Sequence, residues 1–231
     1  MPESTRILAI RHGQTAWNAD GRIQGHQDIG LDDTGRRQAL ALARALHDET
    51  LQAVYSSDLL RATQTAQPLQ QLQALPALTD AGLRERCFGS FEGYSFAQVA
   101  QQSPEAAERW RQREPGFSPG GGESLLVLRE RVVSTVERLV LQHRGGCIAL
   151  VTHGGVLDIL YRQATHLGLS APRHWAVANA SINRLLQSDQ GLALVGWADT
   201  AHLEALRDDL PQRPAAAPLS GESRSRSSSP D

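Results

Sequence analysis

The sequence predicts an α/β protein, a three-layer α/β/α sandwich on a largely parallel, mixed sheet. Three observations predict it. Short apolar runs of strand character alternate with longer segments whose apolar residues recur at helical spacing, the pattern of βα units. The first run, Ile7-Leu8-Ala9-Ile10, reads as a short buried strand bounded by a glycine. The last two runs lie close together around Ser188-Asp189-Gln190-Gly191, which suits a hairpin and makes the sheet mixed.

The elements follow in order. Strands are expected at 6–10, 52–55, 147–152, 183–187 and 192–197. After the first strand, Ala39, Leu42, Ala43 and Leu46 fall on one helical face, with Thr34 as the expected cap. Ser57 is expected to cap a helix over 58–72. The longest helix is expected over 123–142, where Leu125, Leu128, Val132, Val136, Leu139 and Val140 share a face. A last helix, 156–166, follows Gly154-Gly155. The segment 88–122 reads as an irregular, lid-like insertion carrying Phe91, Tyr94, Phe96, Trp110 and Phe117. Residues 1–210 are thus expected to form one domain. From Pro211 the chain is rich in Pro, Ala, Ser and Arg, and 211–231 is expected to be a disordered tail.

Composition excludes more than it identifies. The chain has 231 residues, 40% of them hydrophobic and 21% charged, enough for a soluble core. A net charge of −2 gives no case for nucleic acid or an anionic membrane as partner. No apolar run approaches the roughly 20 residues a membrane span needs, and no signal peptide precedes the first strand, so a cytoplasmic location is expected. Cys87 and Cys147 are too few for a disulfide framework or a four-ligand zinc site. All 23 basic residues are arginine, which removes phosphate-loop, Schiff-base and Ser–Lys chemistry. Neither a metal nor another cofactor is called for.

The chemistry concentrates where strands end. Arg11-His12-Gly13 closes the first strand and Thr152-His153-Gly154-Gly155 closes another, at the carboxyl edge where open α/β sheets bind ligands. Arginine offers a planar fork of donors to phosphate oxygens, and a neutral histidine offers a nucleophile or base. Arg61, just after the strand ending at Tyr55, falls in the first turn of a helix leaving that edge, where free N–H groups favour anions. Glu85 stands between Arg84 and Arg86, with Asp80 and Glu92 as rival carboxylates nearby. Asn18, Gln24 and Gly25 follow the first motif closely and could complete a phosphate shell, with Gly154 at the second. A plainer reading of Arg61 is an ion pair with Asp58 at helical spacing. Asn179-Ala180-Ser181 reads only as a glycosylation sequon.

Taken together these segments resemble the histidine phosphatase superfamily, the phosphoglycerate-mutase-like proteins. The resemblance runs from about Thr5 to Trp197. Its elements are Arg11-His12-Gly13-Gln14-Thr15-Ala16-Trp17-Asn18, Gln24-Gly25-His26-Gln27-Asp28, Ser56-Ser57-Asp58-Leu59-Leu60-Arg61-Ala62-Thr63-Gln64-Thr65-Ala66, Leu83-Arg84-Glu85 with Phe88-Gly89-Ser90-Phe91-Glu92-Gly93, Gly121-Gly122-Glu123-Ser124, and His153-Gly154-Gly155. It implies that His12 is the nucleophile that becomes phosphohistidine. It implies too that Arg11, Arg61 and His153 bind the transferred phosphoryl group and that Glu85 is the general acid and base. The implied activity is metal-independent hydrolysis of a small phosphate ester.

Cofactor-dependent mutases of the family carry a His-Tyr-Gly segment and a lysine after the acid. Here the stretch is Cys87-Phe88-Gly89-Ser90-Phe91-Glu92-Gly93 and lysine is absent, which favours phosphatase over mutase. Trp110-Arg111-Gln112-Arg113 could still hold a second acidic group. A non-catalytic phospho-ligand binder would require a lost catalytic residue, and none is lost. A cysteine phosphatase needs an arginine closing the loop after its cysteine. At that spacing Cys87 leads to Gly93 and Cys147 to His153.

Overall fold

In this computed structural model residues 4–208 are described, and the expected tail from Pro211 lies outside them. Six strands form one sheet: β1 (Thr5–Arg11), β2 (Ala53–Ser56), β3 (Leu78–Thr79), β4 (Cys147–Thr152), β5 (Ile182–Ser188) and β6 (Gly191–Asp199). Their order is β3-β2-β4-β1-β5-β6. The pairings β2–β3, β2–β4 and β1–β4 are parallel, while β1–β5 and β5–β6 are antiparallel. The expected sandwich on a largely parallel, mixed sheet is what forms.

The helices are α1 (Ala16–Ala19), α2 (Asp33–Ala45), α3 (Leu60–Leu72), α4 (Phe96–Gln102), α5 (Pro104–Arg111), α6 (Leu125–Leu141), α7 (Gly154–Thr165) and α8 (Glu204–Asp208). Because β1 is apolar and buried at each position from Ile7 to Ile10, alternate side chains serve opposite layers. Ile7 and Ala9 enter the core shared with Leu128, Val132 and Val136 of α6 and Val156 and Leu157 of α7. Leu8 and Ile10 enter the core shared with Leu42 of α2 and Ala62, Ala66 and Leu69 of α3. A strand buried on both faces in this way fixes the layers around it.

Several local expectations change. Asp32, not Thr34, caps α2: its Oδ1 accepts from Gly35 N at 2.7 Å, two residues earlier than the apolar periodicity suggested. Helix α3 begins at Leu60 rather than at 58, and its N-cap, Leu59, makes no side-chain bond. Ser57 instead accepts from Leu59 N at 3.3 Å, a local turn that precedes the helix. Ser124 caps α6 by accepting from Val127 N. Helix α7 starts at Gly154, directly after His153. The insertion 88–122 is not irregular throughout, since it contains α4 and α5; Ser95 and Gln98 close a capping box on α4, and Pro104 opens α5. Its aromatics pack on one another, with Trp110 at 5.0 Å from Phe88 and 5.4 Å from Phe96 between ring centroids.

The parallel pairing of β1 and β4 places Arg11 opposite Thr152. The residues that follow, His12 and His153, therefore leave the same edge of two adjacent central strands. His12 N donates to Thr152 O at 2.9 Å, fastening one strand end to the other. Among the described residues no helix is long and apolar enough to cross a membrane.

Candidate active site

His12 is buried, and its Nδ1 lies 2.7 Å from Gly13 O. A carbonyl only accepts, so Nδ1 carries the proton and Nε2 carries the lone pair. Burial first, then the neighbouring Arg11 and Arg61 cations, hold the His12 pKa well below the ordinary value of 6.5. The imidazole is therefore neutral with its basic nitrogen free. The close backbone turn behind it requires glycine: a Cβ on Gly13 would sit 2.7 Å from Gly35 O. Gly13 N donates to Thr65 Oγ1 at 2.9 Å, and Thr65 Oγ1 donates to Arg61 O at 2.7 Å, so the first motif is tied to α3.

Arg61, in the first turn of α3, is fully buried. Its Nη1 donates to Gln27 O and its Nη2 to Gly25 O, both at 2.7 Å. Its Nε donates to His153 Nδ1 at 3.2 Å. That donation fixes His153 with its proton on Nε2, the tautomer opposite to that of His12. His153 Nε2 is buried with no partner in the protein. Its pKa is also held well below 6.5, by burial, Arg61, His12 and Arg11 in that order. The two rings stand 5.0 Å apart between centroids. One presents a lone pair and the other an N–H.

Arg11 donates from Nη1 to Val177 O at 2.5 Å, while its Nε is buried without a partner. Glu85 receives one amide from the start of α7: Gly155 N is shared between its Oε1 at 2.9 Å and its Oε2 at 3.1 Å. Arg86 N adds a bond to Oε1 at 2.7 Å. A Cβ on Gly155 would lie 2.2 Å from Glu85 Oε1, so glycine here makes room for the carboxylate. A Cβ built on Gly154 would lie 3.7 Å from Glu85 Oε2 and 3.8 Å from Arg11 Nε, which shows the three groups converging at the start of α7.

The rival carboxylates are otherwise engaged. Glu92 accepts from His26 N and Phe88 N at 3.0 Å each and from Gln27 Nε2 at 3.2 Å, bracing two loops. Asp80 accepts from Gly82 N and pairs with Arg138. Asp58 pairs with Arg84 at 2.6 Å, so the alternative ion pair to Arg61 does not form. Neither flanking arginine turns its guanidinium to the Glu85 carboxylate: that of Arg86 donates instead to Glu123 O and Phe117 O.

Arg11, His12, Arg61, Glu85, His153 and Gly154 thus come together at one edge. Asn18 sits beside them: its Oδ1 accepts from Thr15 N at 3.1 Å and from Asn179 Nδ2 at 3.2 Å. Gln24 Oε1 accepts from Thr15 Oγ1 at 3.0 Å. Gly25 holds the Arg61 guanidinium through its carbonyl, which places it directly behind one of the converging arginines. Three supports escaped the sequence reading: Thr65, Val177 and Asn179, whose Nδ2 donates to His12 O at 3.0 Å. The sequence signalled none of them, since two act through common polar side chains and one through its backbone.

A cavity of about 570 Å³ opens from Arg11, Glu85 and Gly154. Phe88, Phe96 and Trp110 of the insertion line its wall. Among the described residues no group of three His, Cys, Asp or Glu side chains is placed to hold a metal ion.

Comparison with known proteins agrees with this geometry. Residues 7–200 match the sequence model of the histidine phosphatase superfamily (branch 1). The phosphoglycerate mutase-like protein 4 of Arabidopsis thaliana is 40% identical over 203 residues, covering 86% of each chain. The metal-independent phosphoserine phosphatase of the same plant is 36% identical over 207 residues, covering 88% of this chain and 85% of the relative. The solved structure of a mycobacterial glucosyl-3-phosphoglycerate phosphatase superposes with a TM-score of 0.77 at 31% identity, covering 85% of this chain and 100% of the other. With its two strand-end histidines, its converging arginines and a match across most of its length, this chain belongs to the histidine phosphatase superfamily.

Proposed function

We propose that the protein is a phosphomonoester hydrolase acting on a small phosphorylated metabolite through a phosphohistidine at His12. The observation that carries this reading is the opposed pair of tautomers, with the His12 Nε2 lone pair and the His153 Nε2–H at one strand edge. In the first step His12 Nε2 forms a bond to phosphorus as the ester P–O bond breaks, and Glu85 gives a proton to the departing alkoxide. In the second, water attacks phosphorus, the N–P bond breaks, and Glu85 takes a proton from the water.

Phosphoryl transfer asks mainly for positioning and charge stabilisation. Arg11 Nε, the remaining Arg61 N–H bonds and the His153 Nε2–H supply it, each already held by the protein. The Asn18 and Gln24 amide nitrogens and Gly154 N complete the shell. Arginines take the part a divalent cation plays elsewhere, so activity is metal-independent. Two relatives named for phosphatase activity on phosphorylated metabolites support hydrolysis. A mutase-type transfer is the second reading, favoured by Arg111 and Arg113 at the cavity wall.

Turnover of an alkyl phosphate in ¹⁸O-water, with EDTA present, tests the proposal. The expected result is orthophosphate carrying the heavy oxygen, at a rate EDTA leaves unchanged and His12→Ala abolishes. Heavy oxygen in the alcohol, or undiminished turnover in His12→Ala, contradicts it. Intramolecular phosphate migration without release would establish the mutase reading.

A further inference from the structure

Two side chains converge on the backbone carbonyl of Glu85. His26 donates to it from Nε2 at 2.8 Å and Arg131 from Nη2 at 3.2 Å. Arg131 braces the whole loop, for its Nη1 also donates to Gly82 O and Arg84 O at 2.9 Å each. Its Nε and Nη2 pair besides with the Glu123 carboxylate at 2.8 and 2.7 Å. The His26 contact is shorter and undivided: among the described residues the ring's one hydrogen bond is to Glu85 O. A carbonyl only accepts, so that bond fixes the His26 proton on Nε2.

The place of His26 in the chain gives the contact its meaning. Gly25 and Gln27, on either side, turn their carbonyls to Arg61 Nη2 and Nη1, both at 2.7 Å. Asp28 Oδ1 accepts from Leu60 N at 2.6 Å, at the start of the helix that carries Arg61. Glu92 Oε1 accepts from His26 N at 3.0 Å and holds the turn itself. One short turn thus grips the phosphoryl-binding arginine with its backbone and the proton donor with a side chain. The ring is only half-buried, so replacing it leaves no enclosed void and spares the core.

Resting on the hydrolase reading, we propose that His26 is a positioning residue that couples the proton donor Glu85 to the phosphoryl-binding Arg61. The Glu85 carboxylate is aimed by Gly155 N and Arg86 N, but the backbone it hangs from is set by His26. The acid and the phosphoryl site then keep one fixed relation through a single turn. General acid catalysis depends on that relation, because the proton must reach the departing oxygen as the P–O bond breaks. A misplacement of about 1 Å costs on the order of 10²-fold. His26 acts wholly through Glu85: its Nε2 is spent on a backbone carbonyl and gives no proton to the substrate.

Single-turnover phosphorylation by an alkyl phosphate and by p-nitrophenyl phosphate tests this in wild type, His26→Leu, His26→Gln and Glu85→Gln. His26→Leu is expected to lose about 10- to 100-fold on the alkyl ester and clearly less on p-nitrophenyl phosphate, whose leaving group needs no proton. The half-saturating concentration should not change. Glutamine carries an Nε2 donor at similar reach, so His26→Gln should recover most of the alkyl-ester rate. Added to Glu85→Gln, His26→Leu should cost nothing further, the sign of a residue acting through another. Calorimetry should show inorganic phosphate binding His26→Leu as it binds wild type, since Arg61 keeps its carbonyls. Equal losses on both esters, weakened phosphate binding, no recovery in His26→Gln or full additivity with Glu85→Gln overturns the proposal, and wild-type turnover then leaves the hydrolase reading standing. A wild type that hydrolyses neither ester overturns the hydrolase reading and this one with it.

Discussion

His12 and His153 make opposite use of the same side chain, and the difference lies in one hydrogen bond each. His12 gives its Nδ1 proton to Gly13 O, and His153 receives Arg61 Nε at Nδ1. Both are held neutral, with pKa values well below 6.5. In the unfolded chain each would take a proton as pH falls below that value. The unfolded state therefore binds more protons, and stability is full above pH 6.5 and lost as pH falls below it toward the folded values. We expect urea unfolding to show a free energy that declines between pH 7.5 and 5.5, with a slope of up to about 1.4 kcal/mol per pH unit for each histidine. His153→Asn should flatten that slope; an unchanged slope would show that His153 does not remain neutral.

Glu85 makes a second prediction at this scale. An alkoxide leaves poorly without a proton, whereas a nitrophenolate leaves readily. Glu85→Gln should lose much of the roughly 10²–10⁴-fold that general acid catalysis contributes on alkyl esters, and clearly less on p-nitrophenyl phosphate. Single-turnover phosphorylation of the enzyme by each ester provides the comparison. Equal losses would assign Glu85 to binding. The sequence made His12 and His153 legible because each sits between a strand end and a glycine, and Arg61 because it falls in the first turn of the helix after a strand. It hid Asn179 inside a sequon and left Glu85 with rivals, since only the fold shows Glu92 and Asp80 spent on loops.

Among the elements, α7 does more than pack. Its Gly155 amide holds Glu85, and its glycine start leaves space for that carboxylate. Gly155→Ala should displace Glu85 and reproduce the Glu85→Gln pattern, with alkyl esters hit harder than p-nitrophenyl phosphate, while circular dichroism is unchanged. Equal activity on both would mean Glu85 acts from another position. Helix α2 positions the first motif through Asp32, whose Oδ1 caps Gly35 N and whose Oδ2 accepts from Gln14 Nε2 at 3.0 Å. Asp32→Ala should cost about 1 kcal/mol in denaturant unfolding, the usual loss of a cap; no loss would remove the cap from the account.

Elements with a long apolar period were readable, as α6 and β4 show. Short ones were not. Helices α4 and α5 are 7 and 8 residues long and β3 has 2, too few for a period to emerge. The start of α2 was misplaced because capping by Asp32 precedes the apolar face that marks the helix.

For the molecule as a whole, topology performs the decisive step. A parallel β1–β4 pair at the centre of the sheet joins His12 to His153, and β2, next to β4, launches Arg61 at the same edge. Residues distant in sequence thus meet without a metal cluster among the described side chains. A net charge of −2 conceals this local excess of cations. The central claim is that the phosphoryl group passes through His12. Rapid-quench mixing with a ³²P-labelled ester tests it most directly. The account requires protein-bound label that approaches one per molecule, is acid-labile and alkali-stable, maps to His12 and is absent from His12→Ala. Orthophosphate formed with no bound label at any time, or label undiminished in His12→Ala, would contradict it.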